Sequence, residues 1–261
     1  AGVGVVLEPQ RAYPAGTLAG RLLGFTDIDG KGVRGIEQQE DEFLRGQGQA
    51  VQVVRDGGGR TLGHGNRIRD TAGGEIALTV DAALQADAEA ALMQAVEKTG
   101  SRGGTVISMV PQTGEILVLA EAPELDPNSF RHVSYETTGS GAFLDAVEPG
   151  STLKVFLAAG AIEAGTIHPE EEIDCSGGEY PVPGKIIRDH RDYGVLNVSS
   201  VLWHSSNVGA VKIAQGLGPR AHFDTLERFG FGTSTGTGFP FESSGILRPW
   251  QDWQPLDHAT I

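Results

Sequence analysis

Glu148-Pro149-Gly150-Ser151-Thr152-Leu153-Lys154, running on into Val155-Phe156-Leu157-Ala158-Ala159-Gly160-Ala161-Ile162, is the stretch on which the reading of this chain turns. Pro149-Gly150 punctuates its start, and Gly165 stands where a helix would stop. Apolar residues occupy every side of the intervening turns rather than one stripe, so this helix is expected to be buried all round. Positions i and i+3 of a helix share a face, which points Ser151 and Lys154 into the same space. The residues three and four places from Lys154 are Gly150, Ser151, Leu157 and Ala158, none of them a carboxylate. A lysine half-buried without a local counter-charge gives up its proton more readily, because desolvation disfavours the ammonium. A neutral amine beside a serine is one way a hydroxyl becomes a nucleophile. The plainer alternative is an N-capping serine and a lysine that snorkels to water, since Ser-x-x-Lys alone recurs by chance.

A second polar cluster lies downstream. Residues 198–204 and 208–217 carry helical patterns, closed by Gly218, and Ser205-Ser206-Asn207 forms the turn between them. On its own this turn reads as a cap, with Ser206 or Asn207 serving the following helix. Arg188, Asp189, His190, Arg191 and Asp192 form a charged run that reads as a solvated loop. His204, beside Ser205, reads as helix-terminal and structural.

Bulk properties narrow the function classes. At 261 residues the chain holds one or two domains and a sizeable core. Hydrophobic residues make up 39% and charged residues 21%, the balance of a folded globular protein rather than a disordered one. With 34 acidic against 20 basic residues the net charge is −14, which argues against nucleic acid as a partner. A single cysteine, Cys175, rules out an internal disulfide, and no His/Cys cluster has metal-ligand spacing, so neither metal nor cofactor is expected. No apolar run is long enough to span a bilayer. The first residue is alanine and both methionines, Met93 and Met109, are internal, so a processed form or a piece of a longer protein is expected, without its anchor.

Along the chain, strands come first and helices later. Residues 1–75 are glycine-rich, with a strand expected at Val3–Leu7, a turn at Arg11–Gly16, and a short helix from Thr17 to Leu23. A helical stretch from Gly35 to near Gly46 follows, then a hairpin across Val51–Val54 and Asp56–Gly59. Ile76–Val80 reads as a strand, and Asp81 caps a helix over 82–98 with Leu84, Ala88, Leu92 and Val96 on its buried face. Thr105–Val110 and Glu115–Ala120 form strands about Pro111-Gln112-Thr113-Gly114, and 121–147 is a connector. After the Ser151 helix comes a mainly helical block that ends with a helix over 221–229. The order implies an α+β fold, an antiparallel sheet backed by helices.

Taken together, these residues resemble the penicillin-binding proteins, the serine D,D-transpeptidases of bacterial cell-wall synthesis. Glu148–Lys154 looks like the family's nucleophile segment, and Ser205-Ser206-Asn207-Val208-Gly209 is similar to its second motif. Leu78–Asp81 with Leu84-Gln85, Thr113–Leu117, Asp126-Pro127-Asn128 and Phe229-Gly230-Phe231-Gly232 match flanking landmarks, so the resemblance covers nearly the whole chain. Arg11–Gly24 and Gly35–Glu37 look like the non-catalytic pedestal of the monofunctional class B branch, of the division or sporulation type. The resemblance implies a partial pedestal at 1–75 and a transpeptidase domain at 76–261. It implies Ser151, Lys154, Ser205 and Asn207 as site residues, and peptidoglycan stem peptides or their lipid-linked precursor as substrate. β-Lactams are implied as inhibitors, with other cell-wall synthesis proteins as partners. The implied location is the outer, periplasmic face of the bacterial cytoplasmic membrane.

One departure stands out. The family's third motif, Lys-Thr-Gly or Lys-Ser-Gly, follows the Ser-x-Asn turn, whereas the literal Lys98-Thr99-Gly100 here precedes the nucleophile and reads as a helix C-terminus. Thr235-Gly236 and Thr237-Gly238 follow Ser-x-Asn but lack the lysine. The expectation is therefore a transpeptidase domain cut before that motif, inactive or impaired by itself. Alternatives are a scaffold or β-lactam sensor without turnover, or a serine β-lactamase, although Ser206 stands where such lactamases often carry aspartate.

Overall fold

Two units make up the chain in the computed structural model, Ala1–Asp145 with Gly236–Glu242, and Ala146–Thr235 with Ser243–Ile261. The structure describes residues 11–46, 53–58, 60–64, 73–254 and 257–258; the strand expected at Val3–Leu7 lies outside them.

The first unit opens with three short helices, α1 (Gly20–Leu23), α2 (Gly35–Gln39) and α3 (Asp41–Arg45), followed by the hairpin β1 (Val53–Arg55) and β2 (Thr61–His64). Its main element is α4 (Ala82–Thr99), lying on the antiparallel pair β3 (Gly104–Met109) and β4 (Ile116–Ala122). Asp81 starts α4 as expected, its Oδ1 accepting the Ala83 and Leu84 N–H groups at 2.9 and 3.0 Å. Gly100, left-handed at φ 66°, stops it, so Lys98-Thr99-Gly100 is a helix end. Leu92 packs on Val118, Ala120 and Ala122, flanked by Ala88 and Val96.

Two expectations in this unit need correction. Leu84 is 48% exposed, and the buried positions of α4 are Gln85, Glu89 and Leu92. The helix is rotated so that two polar side chains can serve buried backbone, which an apolar-spacing rule does not anticipate. Ile76–Val80 is not a strand. The chain hydrogen-bonds to β4 through Thr79 Oγ1 to the Ile116 carbonyl and the Asp81 N–H to the Leu117 carbonyl, with Val80 packed in the cluster of Leu119 and Ile116, before Asp81 turns it into α4. The connector after β4 holds 3-10 turns at Pro127–His132 and Tyr135–Thr138 and the short helix α5 (Gly141–Leu144).

The second unit carries α6 (Leu153–Glu163), β5 (Ile173–Asp174), β6 (Glu179–Val182), β7 (Lys185–Arg188), β8 (Val195–Leu196), α7 (Val198–His204), α8 (Asn207–Leu217) and α9 (Pro219–Arg228). β5 pairs with β8 and β6 with β7, both antiparallel. These short strands interrupt the expected helical block. Pro183-Gly184, with Gly184 at φ 83°, makes the β6–β7 turn. The core joins Leu157, Ala158 and Ala161 of α6 to Val198 and Val201 of α7 and Val208, Ile213 and Leu217 of α8.

α6 is not buried all round. Leu157, Ala158 and Ala161 are buried, but Val155 is 56% and Ile162 39% exposed on the opposite side. The contact is close on the buried side: a Cβ on Gly160 would sit 2.5 Å from Thr225 Oγ1 of α9. Uniform apolarity shows that a helix can be enclosed, not how many neighbours enclose it.

Candidate active site

Ser151 lies in a 3-10 turn, Gly150–Thr152, that runs into α6 without a break, since Thr152 and Leu153 both have right-handed helical dihedrals. Ser151 therefore stands one turn ahead of Lys154 on the same face. It is exposed, and its hydroxyl makes no hydrogen bond among the described residues. Lys154 is only 4% exposed. Its Nζ donates to the Ser205 carbonyl at 2.7 Å and to Asn207 Oδ1 at 2.7 Å, and lies 3.1 Å from Ser205 Oγ. The structure thus brings together three of the four expected site residues through direct hydrogen bonds, with the fourth one turn away.

Local backbone chemistry explains how Ser205 and Asn207 reach the amine. α7 ends at Ser205, which adopts the left-handed conformation (φ 52°, ψ 40°) that glycine usually supplies at a helix end. That turn aims both its carbonyl and its hydroxyl at Lys154. Ser206, fully buried, then caps α8 by accepting the Gly209 N–H at 2.9 Å. Asn207 is the first residue of α8. A Cβ at Gly209 would lie 2.5 Å from Val201 Cγ2, so the corner between α7 and α8 closes only around glycine.

The electrostatics of Lys154 follow from its surroundings. Burial lowers its pKa from the usual lysine range, and the negative charge of Asp189 pulls the other way. Two of its contacts, the Ser205 carbonyl and Asn207 Oδ1, can only accept. The third, a hydroxyl, can accept from an ammonium or donate to a neutral amine's lone pair. The site therefore accommodates both protonation states without moving a heavy atom.

Asp189 is the residue that sequence reasoning missed. Its Oδ1 accepts the Asn207 N–H at 2.5 Å and the Val208 N–H at 3.1 Å, and its Oδ2 accepts the Ser206 hydroxyl at 2.7 Å. The preceding carbonyl, Arg188 O, accepts Asn207 Nδ2 at 2.8 Å. The run 188–192 is thus not simply a solvated loop; its first two residues seat the Ser-x-Asn turn. An acid 18 residues from Asn207 leaves no periodic signal for a reader of the sequence. His204 does end α7, stacks on Tyr193 at 4.7 Å and lies tilted against Trp203 at 4.6 Å, with Trp203 81% exposed. Among the described residues no cluster of His, Cys, Asp and Glu could hold a metal, and no helix is long and apolar enough to cross a membrane.

Comparison with known proteins gives the family of the chain. Residues 104–261 match the family model described as the penicillin binding protein transpeptidase domain. The chain is a class B penicillin-binding protein by family. It is 36% identical over 257 residues to the probable peptidoglycan D,D-transpeptidase PenA of Neisseria meningitidis, covering 97% of this chain and 44% of that protein. To the peptidoglycan D,D-transpeptidase FtsI of Escherichia coli K12 it is 32% identical over 254 residues, covering 97% of this chain and 43% of the relative. It therefore spans somewhat less than half the length of these relatives. Among solved structures, penicillin binding protein 3 of Mycobacterium tuberculosis in complex with ampicillin superposes with a TM-score of 0.81 at 29% identity, over 96% of this chain and 52% of that one. A peptidoglycan synthetase from Bifidobacterium adolescentis gives 0.79 at 30% identity, over 96% and 46%. The α+β penicillin-binding fold expected from the sequence is therefore the fold of this chain.

Proposed function

We propose that this protein is a peptidoglycan D,D-transpeptidase acting through an acyl-enzyme on Ser151, with residues 1–75 as a non-catalytic pedestal and 76–261 within the transpeptidase domain. The observation that carries the reading is the buried Lys154 amine, held by Ser205 and Asn207 one turn after an unbonded serine hydroxyl.

In this reading Ser151 Oγ attacks the carbonyl carbon of the penultimate D-alanine of a stem peptide, and its proton passes to neutral Lys154. The tetrahedral intermediate collapses, the C–N bond breaks, and the terminal D-alanine leaves as an amine after receiving a proton through the Ser205 hydroxyl. An amine of a second stem peptide attacks the Ser151 ester, and the cross-link forms as Ser151 regains its proton. The Ser151 N–H, at the start of the helical run, supplies one donor to the developing oxyanion. Asn207 orients the substrate amide and the lysine together. A β-lactam enters the same path through its strained amide and leaves a slowly hydrolysed ester on Ser151. Support comes from the names of the relatives and from the M. tuberculosis protein complexed with ampicillin and with aztreonam. Substrate of this kind places the protein at the outer face of the bacterial cytoplasmic membrane.

The test is fluorescent-penicillin labelling of the protein as the cell makes it, with the modified peptide mapped by mass spectrometry. A stable adduct on Ser151 that disappears in Ser151→Ala is the expected result. Rapid turnover of the drug without a lasting adduct would indicate a lactamase, and labelling at another residue would overturn the mechanism.

A further inference from the structure

The charged run at the end of β7 does more than cover the corner between α7 and α8. β6 and β7 form a hairpin whose inner residues, Val182 and Ile187, pack on Val211 of α8, which plants the end of β7 beside the first turn of that helix. The Asp189 N–H is fixed to the Gly178 carbonyl at 2.9 Å, so its own backbone is anchored. From there its carboxylate accepts three hydrogen bonds, from the Asn207 and Val208 N–H groups and the Ser206 hydroxyl. Ser206 Oγ in turn takes the Gly209 N–H. The first N–H groups of α8 are thus satisfied by one carboxylate and one serine, at the helix end where negative charge is favoured.

Arg188 completes the arrangement. Because its carbonyl accepts Asn207 Nδ2, the asparagine amide can face Lys154 only with Oδ1, the atom a lysine needs. Ser205 meanwhile sits in a left-handed conformation that costs a non-glycine residue energy and persists only where neighbours hold it. The residues after it, 206 to 208, are the ones Asp189 grips.

We propose that Asp189 is a positioning residue for the reaction: its carboxylate locks the 205–207 turn in the one conformation that lets Ser205 and Asn207 hold Lys154 together, and its negative charge favours the ammonium of that side chain. This inference rests on the transpeptidase reading above. It adds a residue outside the Ser-x-x-Lys and Ser-x-Asn motifs and gives the carboxylate two separable effects. An N-cap role alone would predict lost stability and nothing else.

The experiment compares wild type, Asp189→Asn and Asp189→Ala in the native protein. It reads thermal stability, the second-order rate of β-lactam acylation against pH, and the titration of Lys154 by NMR of its 13C-labelled Cε. Asp189→Ala is expected to slow acylation by about 10²-fold, the scale of an ångström-level misplacement. Asp189→Asn keeps the acceptor for the backbone N–H groups but removes the charge. It should acylate about tenfold more slowly, with Lys154 and the acid limb of the rate profile both shifted to lower pH, because the charge that favours the ammonium is gone. Unchanged rates and an unmoved Lys154 titration in Asp189→Asn would overturn the proposal, even if the alanine variant fails to fold. If the wild type is never acylated at Ser151, the transpeptidase reading fails instead, and the Lys154 titration still decides the role of Asp189.

Discussion

Each unit of the molecule buries a polar network, and the two networks are built on opposite principles. In the first unit, Gln85 on α4 pairs with the main chain of Leu119 as a neighbouring strand would. Its Nε2 donates to the Leu119 carbonyl at 2.8 Å, and its Oε1 accepts the Leu119 N–H at 2.9 Å. The second Nε2 hydrogen goes to Glu89 Oε1 at 2.8 Å, which also takes the Ala19 N–H at 2.8 Å. Each donor in that set meets an acceptor, and no proton has an alternative place to go. In the second unit, Lys154 has two contacts that can only accept and a third that can donate or accept. Satisfaction makes the first network a joint between helix and strand. Ambiguity at one position leaves the second able to hold a proton on either partner.

Removing the amine breaks the comparison most severely. Lys154→Ala should reduce acylation of Ser151 by at least about 10³-fold, within the usual range for loss of a positioned acid–base group, while circular dichroism stays native. Retention of more than a tenth of the wild-type rate would mean that Lys154 is only structural. Gln85→Ala should do the reverse. It leaves the Leu119 N–H and carbonyl unpaired in the core, a cost of about 3 kcal/mol in unfolding free energy, with the acylation rate of the folded protein unchanged. Denaturant melts and labelling on the same sample separate the two effects.

His222 offers a third case, buried polarity without a hydrogen-bond partner among the described residues. Its ring is fully buried, neither nitrogen is hydrogen-bonded, and it faces Trp253 at 5.7 Å and His258 at 5.6 Å. Burial, followed by repulsion from His258, lowers its pKa to about 4. Above the unfolded value near 6.5 both states are neutral and the group is silent. As pH falls below that value, only the unfolded chain takes up the proton. The native state therefore loses stability progressively down to about pH 4, by on the order of 3 kcal/mol at most. His222→Leu should flatten the dependence of unfolding free energy on pH between 6.5 and 4. An equally steep dependence in the variant would assign the acid sensitivity to other groups.

The same contrast explains what the sequence made legible. Ser151 and Lys154 were readable as a pair because helix geometry brings positions three apart to one face, whereas Ser205 and Asn207 read as a cap until the resemblance to the penicillin-binding proteins joined the two motifs. The α4 boundaries were readable because Asp81 and Gly100 cap locally. Asp189 was not, since its partners lie 17 to 19 residues on and are reached only through the β6–β7 hairpin. Gln85 was legible only as part of a flanking landmark, and its burial was equally invisible. Apolar spacing placed Leu84 inward, and only the unpaired backbone of Leu119, 34 residues away, gives a reason to bury an amide instead. The short strands β5 to β8 escaped for a similar cause, being two to four residues long and fixed by pairing rather than by pattern.

Lys154 is gripped by Ser205 twice, once through the hydroxyl and once through the peptide oxygen. A peptide oxygen is present whatever side chain occupies the position, so one anchor of the amine lies beyond the reach of mutation at that residue. Exchange of the hydroxyl at 205 would then remove one contact of the amine while the peptide oxygen still holds it. Part of the heading of the amine is thus written in the main chain, and the side chain at 205 decides only what else the amine meets.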